Sequence, residues 1–258
     1  MKVIDLSHQK NVRDLGGLVG HDGKKVKFGR IYRGGYLGRL SDKDIAIVET
    51  LNITDVIDFR GRDEFISRPD HPFKNMTFHN YPAMKNDVRK EDSITEDSNL
   101  LWFLPDEHQG FKHMYDLYPY ILFSEIGLKA YTDFFNLLTS KPDGVFYFHC
   151  SQGKDRAGLA AYLLEIALGV NEEVAREDYL YSNIAMKEKI AILKEQLKDQ
   201  SFYCPEYERS LEEVFSADIR YLDHAVEEVE KVFGSIEAYL VTALHVDINK
   251  LRELYLED

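Results

Sequence analysis

One stretch constrains the fold more than any other: Val145–Gly158, which reads VFYFHCSQGKDRAG. It opens as a short apolar run, passes through a tight polar loop and continues into the apolar segment Leu159–Leu168. An apolar run, a glycine-containing loop and a longer apolar segment predict strand, loop and helix. The helix is apolar nearly all round, so it is expected at the centre of the molecule, ending at Gly169. A strand feeding a buried helix through a short loop is the unit of an α/β sheet.

The loop carries Cys150 and, six positions later, Arg156. That spacing suits attack of a thiolate on phosphorus. Backbone N–H groups and one guanidinium hold the phosphate oxygens, and Gly153 lets the backbone close round the anion without a Cβ. The positive end of the helix starting near Arg156 points into the same bowl. The field that binds phosphate also favours a nucleophilic thiolate. The bland alternative is that Cys150 is a small hydrophobe at a strand end. The junction, with His149 before the cysteine and Gly153 inside the loop, favours chemistry.

His149–Gly158 resembles the HCxxGKDR loop of the bacterial and fungal tyrosine-serine phosphatases. These are atypical cysteine-dependent phosphatases and include secreted mycobacterial and Listeria members. Further blocks fit in order: Asn11–Gly17 (NVRDLGG), Ile31–Gly35, Asp55–Arg60 with Glu64, Glu177–Asn183, and Phe233–Leu240. The resemblance thus covers most of the chain. It implies a cysteinyl-phosphate mechanism and, in some members, a mobile lid. Two positions depart from it. Ala157 stands where the family usually has Thr, whose hydroxyl helps the thiolate leave. Gln152 replaces a common small residue at the rim.

The roles follow. Cys150 is the nucleophile. Ser151, Gln152, Gly153, Lys154, Asp155 and Arg156 form the cradle, with the Arg156 side chain bidentate to the phosphate. His149 is read either as a support for the thiolate or as a strand-end residue. The general acid is Asp155, which belongs to the family loop, with Asp58 at a neighbouring strand end in reserve. Lys154 is expected to add charge at the mouth, which would suit phosphoinositides. No metal or cofactor is called for. Two other classes stay open: a module that binds phosphorylated ligands without turnover, and thiol redox chemistry such as arsenate reduction, with Cys204 as resolving cysteine.

The rest of the chain supplies the frame. At 258 residues it fits one domain, and no internal repeat or Gly/Ser linker divides it. Asn11–Gly17 is a turn-rich entry in which Arg13 and Asp14 pair with each other or with nearby chain. Asp22-Gly23 signals a hairpin, Phe28–Arg33 a strand, and Ser41 with Asp44 a helix cap. Thr54–Arg60 is a strand ending in charge; its Asp58 and Arg60 are read as salt-bridged to Glu64 or Arg62 on the next turn, or as facing the site, and both readings can hold, with Arg60 structural and Asp58 facing the site. Thr77–Pro82 is a further strand. Residues 84–123, polar and then aromatic, read as an insertion: a lid, or short helices packed on the core. Leu128–Leu138 and everything after Gly169 are helical.

The expected fold is therefore an α/β domain. A mainly parallel central sheet of about four or five strands lies between helices, with a helical C-terminal part. A formal charge of −13 makes nucleic acid an improbable partner and assigns phosphate binding to the loop. No apolar run reaches membrane-span length and no signal peptide is visible, so a cytoplasmic location is expected, secretion by another route aside. Substrate identity among phosphoproteins and phosphoinositides, and oligomeric state, are left open.

Overall fold

The computed structural model describes residues 1–85, 109–199 and 203–258. In chain order the strands are β1 (Lys2–Val3), β2 (Arg13–Asp14), β3 (Lys25–Val26), β4 (Ile31–Gly35), β5 (Asp55–Asp58), β6 (Thr77–Asn80), β7 (Phe146–Cys150) and β8 (Leu256–Glu257). Between β4 and β6 lie α1 (Asp42–Glu49) and α2 (Arg62–Ser67). Ahead of β7 come α3 (Gln109–Phe123) and α4 (Glu125–Ser140). After it come α5 (Arg156–Ala167), α6 (Glu172–Lys198), α7 (Pro205–Phe215), α8 (Ile219–Phe233), α9 (Ile236–Thr242) and α10 (Ile248–Tyr255).

The main sheet has six strands in the order β1-β2-β4-β7-β5-β6. Strands β4, β7, β5 and β6 run parallel, as in the expected α/β sheet. The two extra strands, β1 and β2, are antiparallel and only two residues long each. A stretch that short carries no alternation, so the sequence pattern cannot announce it.

Strand β7 lies between β4 and β5, and its residues alternate between the two faces of the sheet. Phe146, Phe148 and Cys150 join the larger core, packed among α3, α4, α5 and α8. Tyr147 joins a smaller core with Val48, Val56 and Phe73. Helix α5 buries residues all round, from Ala157 to Leu164. A helix without a polar face is stable only when covered on every side, which fixes the phosphate loop to the middle of the molecule.

Local signals place several elements. Ser41 accepts from the Asp44 N–H and Asp44 reaches back to the Ser41 N–H, a complete capping box. The Asp22-Gly23 signal gives a short 3-10 turn with Asp22 at φ 55°, closed by an antiparallel bridge between Val19 and Lys25, and the strand after it, β3, also pairs with β8. The strand expected over Phe28–Arg33 begins later, at Ile31.

The stretch 84–123 is partly described. Residues 86–108, including Trp102 and Phe103 of the expected lid, lie outside the described residues. Residues 109–123 form α3, with Met114, Tyr118, Ile121 and Leu122 buried in the larger core. Among the described residues, no helix is long and apolar enough to cross a membrane.

Candidate active site

The parallel register brings three strand ends together: Gly35 lies beside Cys150, and Asp58 beside His149. The loop Cys150–Asp155 leaves the sheet there and runs into α5. Its backbone polar groups are sorted. The carbonyl of Cys150 accepts from His149 Nδ1 at 3.1 Å, and that of Gln152 from Asn11 Nδ2 at 3.0 Å. The carbonyl of Gly153 accepts from Arg33 Nη2 at 2.9 Å, and that of Arg156 from the Tyr131 hydroxyl at 2.8 Å. The N–H groups of Ser151 through Asp155 donate to none of the described residues. A loop with these carbonyls engaged behind it presents its donors to an anion in front.

Gly153 sits at φ +74°, and a Cβ there would run into the backbone of Gly34. Glycine is needed because the loop lies hard against β4 and because its φ is in the left-handed region.

Arg156 is aimed by Glu64. Its Nη1 donates to Glu64 Oε2 at 2.7 Å, and its Nη2 to Ser151 Oγ at 3.3 Å. The Ser151 hydroxyl donates to Glu64 Oε1, which also accepts from Arg68 at 2.9 Å. Burial alone would raise the Glu64 carboxyl, but Arg156, Ser151 and Arg68 outweigh it and hold it at about 2. Arg156 is pushed above its ordinary range: burial works against its charge, and Glu64 more than compensates.

Behind the loop lies a buried charge network. Arg13 Nε donates to Asp178 at 2.5 Å, and Arg33 Nη1 donates to the other oxygen of the same carboxylate. The guanidinium of Arg13 also bonds Asn11 Oδ1 at 2.7 Å. Of the two readings the sequence allowed, Arg13 and Asp14 do not pair with each other; each bonds nearby chain, and Arg13 reaches Asp178 as well. Asp14 instead accepts from the N–H groups of Gly16 and Gly29, both at 2.8 Å.

The expectation that Asp58 faces the site is likewise corrected. Its carboxylate is buried and accepts from Arg60 Nε at 2.9 Å and Nη2 at 2.7 Å. Arg60 pairs with Asp58 and Asp70, and not with Glu64. His149 is wholly buried beside the same group, its Nε2 3.4 Å from Asp70 and its Nδ1 3.8 Å from Asp58. Burial pulls its pKa down, but the two carboxylates outweigh this and hold it above the usual value. Asp58, Asp70 and His149 are spaced closely enough to hold a cation, and the Arg60 guanidinium bonded to both carboxylates serves as one.

Lys154 also departs from its expected place. Its ammonium is buried and donates to Asp155 Oδ1 at 2.6 Å and to the carbonyls of Val214 at 2.9 Å and Ser216 at 3.1 Å. It ties the loop to the α7–α8 junction and adds no free charge at a mouth. Asp155 is partly exposed, 23% at the side chain, and stands at the N-cap of α5. Gln152 is half-buried at the rim.

Asn11, Arg33, Glu64, Asp178 and Tyr131 thus act on the loop from outside it. All but Tyr131 fall in the blocks quoted for the family resemblance, which is the signal that could have found them; Tyr131 had only its place on an amphipathic helix.

The model of the tyrosine phosphatase family matches residues 4–257. A Cupriavidus necator protein, provisionally named a tyrosine-protein phosphatase, is 30% identical over 248 residues, covering 95% of this chain and 85% of that protein. The triple specificity protein phosphatase PtpB of Mycobacterium tuberculosis is 25% identical over 282 residues, covering 99% of this chain and all of that protein. With a match spanning nearly its whole length, the chain belongs to the tyrosine phosphatase family, and it is a phosphatase of the protein-tyrosine type.

Proposed function

We propose that the protein hydrolyses phosphate monoesters in two steps through a cysteinyl-phosphate at Cys150. The observation that carries this reading is the sorted loop, with carbonyls tied from behind and N–H groups of Ser151–Asp155 left unbonded around Cys150. In the first step the S–P bond forms and the ester P–O bond breaks; the leaving oxygen takes a proton from Asp155. In the second, water attacks phosphorus, the S–P bond breaks, and the proton of water returns to Asp155. Arg156, held by Glu64, and the loop N–H groups meet the charge on the equatorial oxygens. Asp155 is the acid because its carboxylate is partly exposed, whereas Asp58 is committed to Arg60.

Phosphotyrosine is the first substrate class to consider. A relative named for triple specificity calls for a wider panel, and phosphoserine/threonine and phosphoinositides, the classes left open by the sequence, complete it. With Lys154 buried, a phosphoinositide preference has to draw its charge from elsewhere. The test is phosphate release from that panel by the wild-type protein and by Cys150→Ser. The serine protein should lose turnover yet still bind phosphate, because most of the cradle is backbone. Turnover near wild type in Cys150→Ser overturns the mechanism.

A further inference from the structure

The aromatic stretch ahead of α4 reaches the chemistry at one point. Tyr118, on α3, is fully buried, and its hydroxyl donates to Asp155 Oδ1 at 2.7 Å. The hydroxyl of Tyr179, on α6, stands 2.7 Å from that of Tyr118. Burial, and then the charge of Asp155, push the pKa of both phenols well up, so both keep their hydrogens. Each phenol has one hydrogen. Tyr118 gives its own to Asp155, so the hydrogen between the two phenols comes from Tyr179, whose hydroxyl also lies 3.3 Å from the Asp218 carbonyl and takes the shorter contact to Tyr118. The result is a directed chain, Tyr179 to Tyr118 to Asp155, in which each bond polarises the next.

Two features of Asp155 give this chain its meaning. First, both donors to its carboxylate, Tyr118 and Lys154, take the same oxygen, Oδ1; Oδ2 has no partner among the described residues. Second, Asp155 is the N-cap residue of α5, yet its side chain makes no cap hydrogen bond. An aspartate at an N-cap ordinarily accepts from the N–H groups of the first helical turn. Were Asp155 to do so, its negative carboxylate would cover donors at the end of the helix that faces the phosphate.

We propose that Tyr118, backed by Tyr179, is the positioning residue of the general acid: by holding Asp155 at Oδ1 it turns the carboxyl off its own helix and leaves Oδ2 to meet the leaving oxygen. The proposal rests on the reading of Asp155 as the acid. Tyr118 touches neither substrate nor the reacting atoms. Its effect passes through the orientation of one carboxyl group, so it should appear only where protonation of the leaving group matters. Lys154, fixed by two backbone carbonyls, holds the same oxygen, so Tyr118→Phe removes one of two anchors on Oδ1.

The experiment compares kcat/KM for para-nitrophenyl phosphate, whose leaving group needs little protonation, with phenyl phosphate, whose leaving group needs more. Tyr118→Phe removes the donor and keeps the packing. It should lower phenyl phosphate turnover about tenfold or more, the scale of one lost hydrogen bond to a charged group, and para-nitrophenyl phosphate turnover about threefold at most. Tyr179→Phe, one bond further out, should shift the ratio in the same direction by less. In an Asp155→Asn background, Tyr118→Phe should leave the ratio unchanged. Equal loss on both substrates, or no loss on either, overturns the proposal. If Tyr118→Phe fails to fold by thermal melting, Tyr179→Phe decides by the same ratio. If Asp155→Asn alone leaves the ratio untouched, the acid assignment is what has failed, whatever Tyr118 shows.

Discussion

Ala157 is the first residue after the arginine of the loop and is completely buried in the first turn of α5. Its family counterpart is usually Thr. The sulfur of Cys150 accepts no hydrogen bond among the described residues. Ser151, the nearest hydroxyl in sequence, gives its only hydrogen to Glu64. In the proposed mechanism, breakdown of the phosphocysteine returns charge to sulfur without a hydroxyl to meet it. A hydrogen bond to a charged group is worth about 1.5–3 kcal/mol, or roughly one to two decades of rate. Breakdown of the intermediate should therefore limit turnover. Rapid mixing with an aryl phosphate should give a burst of phenol near one equivalent, then a slower steady rate. Ala157→Thr should quicken the slow phase and shrink the burst. Its added methyl and hydroxyl enter a packed site, at a stability cost of about 1–3 kcal/mol. Ala157→Ser, smaller by one methyl, separates this packing term from the chemical gain, and melting temperatures report it directly. Absence of a burst in the wild type, together with no gain from either variant, refutes the reasoning and makes Ala157 a neutral departure.

Glu64→Gln keeps an acceptor beside Arg156 but removes the charge that aims it; kcat/KM should fall about ten- to a hundredfold, read by steady-state kinetics on an aryl phosphate. Asp178→Asn leaves two buried guanidinium groups without their counter-charge and should lower stability by about 3–5 kcal/mol, read by denaturant unfolding. Burial raises the Asp178 carboxyl, but Arg13 and Arg33 outweigh it and take it from the usual 3.8 to about 2. A carboxyl depressed on folding contributes stability above its unfolded pKa. Between about pH 4 and pH 2 the wild type should therefore lose stability with falling pH, and Asp178→Asn should flatten that part of the curve.

The loop and its setting were legible because both are local. An apolar strand, a glycine, a cysteine and an arginine at fixed spacing, and a helix without a polar face can be read within a few residues of each other. The parallel sheet followed from the same alternation of strands and helices. The charge pairs were not legible, because the fold makes them. Arg13 reaches Asp178 across 165 positions and Glu64 reaches Arg156 across 92, whereas a reading along the chain offers Asp14 and Arg60 as the nearer partners. Lys154 failed for a related reason. A lysine in a loop is ordinarily exposed, but here two backbone carbonyls at the C-terminal end of α7 solvate its ammonium, which no local pattern shows. Asp58 was rightly placed at a strand end, but the strand end alone does not say that Arg60 curls back over it.

The ties on the loop's carbonyls bear on its portability. Asn11 comes from the entry segment, Arg33 from β4 and Tyr131 from α4, so three separate parts of the chain hold a loop of a few residues in shape. The sequence HCSQGKDR, moved to the strand–helix junction of another protein, would carry Cys150, Arg156 and the His149 donor but none of the three that hold the other carbonyls. It would then close on itself or collect water behind its backbone, and its N–H groups would have no reason to converge. Phosphate affinity in such a graft should return only as the three donors are restored with it, which makes the smallest transferable unit of this site a set of contacts and not a segment.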